Sequence, residues 1–118
     1  FVCTNRTMCG RMGDRMTIEQ MQTLCDEHKI GWSLHAAEMM MKRSITRSDV
    51  LECIQSGEII EDYPSSFPHP SCLVFGRIHA NKVLHTVIGI KADMLIAITA
   101  YYPDTVKFES DLKTRRTK

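Results

Sequence analysis

The residues best suited to chemistry are two histidines and an arginine: His35, Arg43 and, much further along, His85. Histidine suits proton transfer because its ordinary pKa lies near neutrality. Arginine suits a phosphate that gathers charge during reaction. RNA can be cut by such groups alone if the 2′-hydroxyl loses a proton, the 5′-oxygen gains one and the phosphorus centre is stabilised. No H-x-x-x-H and no paired carboxylates occur, and His69 and His79 fall in expected turns without close partners, so neither a metal site nor a cofactor is expected.

His35 and Arg43 must be positioned by a helix. Ser33 is a plausible N-cap, and residues 34–43 follow a helical period. On a wheel, Leu34, Ala37, Met40 and Met41 gather on the side expected to pack. Lys42 falls about 20° from His35, and Arg43 about 80° from it, with Met39 between. From this local pattern alone, a wet helix flank is the commoner explanation of such charges. The methionines read as core filler.

His85 must be positioned by a strand. It alternates with Val83 and Val87, while Thr86 points the other way. On the next strand Met94, Ile96, Ile98, Ala100 and Tyr102 are expected on one face, and Leu95, Ala97, Thr99 and Tyr101 on the other. A satisfied, partly buried histidine is the bland reading of His85, and a catalytic one the sharper. Tyr101 and Tyr102 either pack at an edge, or stack a base and donate to phosphate. Arg77 and Lys91 read as solvated.

The remaining chain supplies the scaffold. Residues 1–15 show no period and read as a flexible leader or upstream extension, with one domain over 16–118. Thr17 and Gln20 fit a capping box for a helix to about His28, ended by Gly31. Thr46 and Asp49 open a third helix, stopped by Gly57. The period then changes to two. Strands are expected over 58–62, 72–78, 82–90 and 94–102, separated by a proline loop at 63–70 and two short turns. A last helical turn is expected over 108–112. The layout is α+β, with two or three N-terminal helices packed on a four-stranded antiparallel sheet.

Composition narrows the setting. A net charge of +1 gives no bulk reason to bind nucleic acid, and the one conspicuous basic patch is the tail, which holds Arg115 and Arg116. The five cysteines are scattered without a C-x-x-C pair, which points to a reducing cytoplasm rather than a disulfide framework. No apolar run reaches the roughly 20 residues of a membrane span, and the first residues lack the apolar centre of a signal peptide.

Two blocks carry a family resemblance. The first is His35-Ala36, Met40, Arg43, Ile45-Thr46, Asp49-Val50, and Gly57 before Ile59-Ile60. The second is Leu84-His85, Ile98-Thr99-Ala100-Tyr101, Pro103-Asp104, then Phe108, Asp111 and Thr114-Arg115-Arg116. Over residues 33–116 the chain resembles the bacterial domain of unknown function 4258 family. Members are small proteins, many of them toxin components paired with a zinc-finger antitoxin, and are thought to share the fold of RelE-like ribonucleases. The resemblance implies metal-independent cleavage of mRNA. It implies a site at His35, Arg43, His85, Thr99 and Tyr101. Beside that set, Lys42 (next to His35 on the wheel), Tyr102 and the tail residues Arg115 and Arg116 are read as further substrate contacts. The chain departs from the family at Met39, where a second helix arginine is expected, and at Phe108, where tryptophan is expected.

Two functions compete at this point. One is an RNA-cleaving toxin in which His35 and His85 exchange protons while Arg43 holds the phosphate. The other is a non-catalytic module that binds an antitoxin-like protein or a nucleic acid. The first requires both histidine rings to reach one substrate.

Overall fold

The structure, a computed structural model, describes residues 16–67, 69–79, 81–104, 108 and 111–114. The expected leader and the tail arginines Arg115 and Arg116 lie outside the described residues.

Among the described residues, three capped helices form as their end residues dictate. Helix α1 spans Ile18–Asp26, and Thr17 and Gln20 exchange the two hydrogen bonds of a capping box. It stops short of Gly31: His28 takes a left-handed φ of 61° and turns the chain instead. Helix α2 spans Leu34–Arg43, with Ser33 accepting from the Ala36 amide and Ser44 left-handed at the end. Helix α3 spans Arg47–Gln55 behind the Thr46–Asp49 capping box.

Among the described residues, five strands follow the order β1-β5-β4-β3-β2 across one sheet. They are β1 (Ile30–Trp32), β2 (Glu58–Tyr63), β3 (Ser71–Ile78), β4 (Lys82–Lys91) and β5 (Met94–Tyr101). The last four form the expected antiparallel meander. Strand β1 is an addition that makes the sheet mixed: Ile30, Gly31 and Trp32 pair in parallel with Leu95, Ile96 and Ala97. Three residues are too few to display a period of two, so β1 is visible only from its partner. The expected four-stranded antiparallel sheet is corrected to this five-stranded mixed one.

The helices cover one face. Met21, Met40, Val50, Cys53 and Ile54 pack there on Val74, Leu84, Ile88, Leu95 and Ala97. Helix α3 lies against β3 so closely that a Cβ on Gly76 would come within 2.1 Å of the Cys53 carbonyl oxygen. Helix α2 is turned by about a quarter-turn from the expected packing side. It buries Ala36 and Met40, while Leu34 is 76% and Met41 82% exposed. The chain on either side explains this. Strand β1 locks Trp32 to Ala97, and Ile45 is buried just after the helix, so both ends of α2 are fixed by tertiary pairing.

The other face carries a second, smaller buried group. Phe75 and His85 meet there, and Phe108 packs edge-on against His85 from the C-terminal segment. Residues 71–76 of β3 are all buried, as expected of a strand apolar on both faces. At 108–114 no helical turn forms among the described residues; Phe108 makes an isolated bridge, and Asp111 caps the amides of Lys113 and Thr114.

A bulge decides the faces of β5. Val87 pairs with Thr99 and Ile88 with Ala97, which leaves Ile98 as the extra residue. Beyond it the alternation is reset. Ala100 and Tyr102 join Leu95 and Ala97 in the helix-side core, and Tyr101 turns towards His85. A strict period of two had grouped Thr99 and Tyr101 with Leu95 and Ala97, and the inserted residue reverses that grouping. None of the described helices is long and apolar enough to cross a membrane.

Candidate functional site

A cleft of about 590 Å³ opens at the C-terminal end of β5. Tyr63 of β2, Val87 of β4 and Tyr101 of β5 line it, with Tyr102, Pro103, Asp104 and Phe108. Arg43 reaches the same cleft from the helix layer. Four aromatic rings, one guanidinium and one carboxylate thus converge on a single concavity.

Arg43 gets there across an open sheet edge. Strand β1 pairs with β5 only as far as Ala97, so carbonyls beyond it have no strand neighbour on that side. Ser33 continues the pairing, its amide donating to the Ala97 carbonyl and its hydroxyl to that of Ile98. The Arg43 guanidinium donates to the Ala100 carbonyl at 2.7 Å, and to the Thr99 hydroxyl at 3.5 Å. Placing Arg43 in the last turn of α2 also sets its charge against the negative helix end.

Tyr101 is backed by His85. The imidazole is completely buried. Its Nδ1 lies 3.3 Å from the Tyr101 hydroxyl and its Nε2 2.7 Å from the Leu112 carbonyl oxygen. The Tyr101 and Phe108 rings stand edge-on to it at centroid distances of 5.3 and 4.7 Å. Tyr102, on the helix side, carries Lys82 Nζ 4.2 Å above its ring. Burial, and then the nearby Asp49 carboxylate, push its phenol pKa up. Tyr63 hydrogen-bonds the carboxylate of Glu61 on its own strand.

His35 does not join this group. It is exposed in the first turn of α2 and makes no hydrogen bond or ion pair among the described residues. Strand alternation separates the two histidines. Leu84 and Thr86 face the helices, Thr86 donating to Cys53 of α3, so His85 points to the opposite face. The two-histidine proton exchange is therefore set aside: the rings lie on opposite sides of the sheet, and His85 is buried behind Tyr101. Lys42 is exposed and does not line the cleft.

The site thus brings together Arg43, Thr99, Tyr101 and Tyr102, with His85 beneath. Sequence reasoning missed Tyr63, Asp104 and Phe108 as cleft residues. The available signal was positional: Tyr63 precedes Pro64, Asp104 follows Pro103, and both sit where strands must stop.

One cluster has the composition of a cation site. Donor atoms of Asp49, Glu52 and His79 lie within 4.8 Å of one another. The expectation that His79 lacks a close partner is corrected, since its Nε2 is 2.9 Å from the buried Asp49 carboxylate. That carboxylate is already in use, because its second oxygen accepts the Thr46 amide of the capping box. The pair fastens the turn after β3 to the start of α3.

Comparison with known proteins adds one match. A family model described as Domain of unknown function (DUF4258) matches residues 32–102, from β1 to the mouth of the cleft. No curated protein and no solved structure matches the chain.

Proposed function

The chain belongs to the domain of unknown function 4258 family, and from that premise we propose that it is a toxin-like protein whose cleft binds and cleaves RNA. The observation that carries this reading is the convergence of Arg43 and Tyr101 on one aromatic-lined cleft. Unpaired bases stack on such rings, and a guanidinium matches phosphate oxygens in two places at once. Arg43 binds the scissile phosphate and stabilises its gathering charge. Tyr101 handles the proton of the attacking 2′-hydroxyl. The RelE-like relationship, a bacterial cytoplasmic setting and a zinc-finger antitoxin partner belong to the same reading, supported by the family resemblance of the His35 and His85 blocks.

The test is cleavage of a single-stranded RNA by purified protein, compared with Arg43→Ala and Tyr101→Phe, and growth arrest on expression of the same three. Cleavage and arrest by wild type, both lost in the variants, support the reading. Variants as active as wild type overturn it.

A second reading rests on α2. Leu34 and Met41 are exposed one above the other on its outer side, an apolar stripe that the fold leaves uncovered. A non-catalytic module that binds an antitoxin-like protein there is favoured if neither cleft variant changes any RNA-directed activity.

A further inference from the structure

We propose that Asp49, Glu52 and His79 bind a divalent transition-metal ion of the zinc class, at the seam between α3 and the turn after β3. The site goes beyond the RNA reading and does not depend on it, since none of the three residues lines the cleft.

The donors come together from two elements. Asp49 and Glu52 stand three residues apart on α3, so their carboxylates leave one face of the helix a turn apart. His79 reaches them from the turn between β3 and β4. One donor atom from each of the three lies within 4.8 Å of the other two. Two carboxylates and an imidazole suit zinc, whereas calcium and magnesium take oxygen donors.

Asp49 is oriented before any ion arrives. Its side chain is 7% exposed, and the Thr46 amide donates to Oδ2 at 3.0 Å. That leaves Oδ1 facing His79 Nε2 at 2.9 Å. Ligand carboxylates are commonly held in this way through their other oxygen. Glu52 and His79 are exposed, so water can fill the remaining coordination positions. The ion takes the place of the hydrogen that Nε2 shares with Asp49, and the imidazole stays neutral with its one N–H on Nδ1.

Charge supplies the reason for a cation. The His79 contact accounts for Asp49 but not for Glu52, whose side chain makes no hydrogen bond or ion pair among the described residues. Two carboxylates one turn apart repel. The basic residues that flank the cluster in sequence turn to rings instead: Arg47 lies 5.4 Å over Trp32, Arg77 5.5 Å over Phe75 and Lys82 4.2 Å over Tyr102. Among the described residues no lysine or arginine pairs with Asp49 or Glu52. One divalent ion offsets both charges and ties the turn to the helix.

The test uses the full chain, stripped with a chelator and titrated with zinc, cobalt, calcium and magnesium in turn. The expected result is one zinc ion per chain, a higher melting temperature on zinc, and a His79 ring nitrogen-15 resonance that moves. Cobalt should give a visible spectrum with no sulfur-to-metal band. Glu52→Gln and His79→Gln should each weaken zinc binding by about tenfold or more, since even partners that only orient a ligand matter this much. Glu52 is exposed and its side chain bonds to nothing among the described residues, so Glu52→Gln keeps the fold and the comparison stands on it alone if His79→Gln does not. Zinc bound equally by wild type and Glu52→Gln, or cobalt bound with a thiolate band, puts the ion elsewhere and overturns the site. Tighter binding of calcium or magnesium than of zinc, or no uptake at millimolar zinc, overturns it as well.

Discussion

The Arg43 guanidinium and the Ala100 carbonyl oxygen meet at 2.7 Å across the unpaired edge of β5. This contact brings a cation from the helix layer round to a cleft on the far side of the sheet. Lysine has a single ammonium and cannot serve a carbonyl and a phosphate in the same fork geometry. Arg43→Lys is expected to weaken RNA binding by about tenfold, with little change in thermal stability, since the side chain is largely exposed. Filter binding and a thermal melt on the same sample check both halves.

His35→Ala is expected to leave stability within about 0.5 kcal/mol of wild type and RNA cleavage unchanged, because the ring is exposed and on the opposite face from His85. A loss of cleavage comparable to that of Tyr101→Phe would return His35 to the site.

Gly76→Ala tests the packing of α3 on β3. The added Cβ would lie 2.1 Å from the Cys53 carbonyl, a backbone atom that cannot rotate away. A loss of about 2–3 kcal/mol in urea unfolding is expected. Gly31→Ala is the control: its Cβ would first meet the end of Met94 at 3.6 Å, and a loss of less than about 1 kcal/mol is expected.

The buried thiols set an alkaline limit. Burial pushes Cys53 and Cys72 up to about 12 and Cys25 up to about 11, all from an ordinary 9.0. A group whose folded pKa is raised gives full stability below its unfolded value and loses it as pH rises towards the folded one. Unfolding free energy should therefore fall between pH 9 and 11. Iodoacetamide at pH 8 should leave all three thiols unmodified until denaturant is added.

Asp111 sets an acid limit on the C-terminal turn. Backbone amides of Thr114 and Lys113 hold its carboxylate below the usual range. A depressed folded pKa means the turn is held above the unfolded value and is released as pH falls through the folded one. Amide exchange at Thr114 should accelerate on acidification, and in Asp111→Asn it should be fast at neutral pH as well.

What the amino-acid sequence determined by itself was where each helix begins. Thr17, Ser33 and Thr46 declared their helices because a capping oxygen and the amides it accepts from lie within three residues. The meander of four strands was legible because its turns are short and its period regular. What only the tertiary structure decided was how those pieces face one another. Strand β1 exists because β5 is there to pair with it. The quarter-turn of α2 follows from what holds its two ends. One extra residue at Ile98 chose the face of Tyr101, and strand alternation put His85 opposite His35. Side-chain type travels with the chain, whereas the side on which it emerges is set by hydrogen-bond register between segments far apart in sequence. The reactive residues could be named in advance; their division into a cleft pair, Arg43 and Tyr101, a buried support, His85, and an outlier, His35, could not.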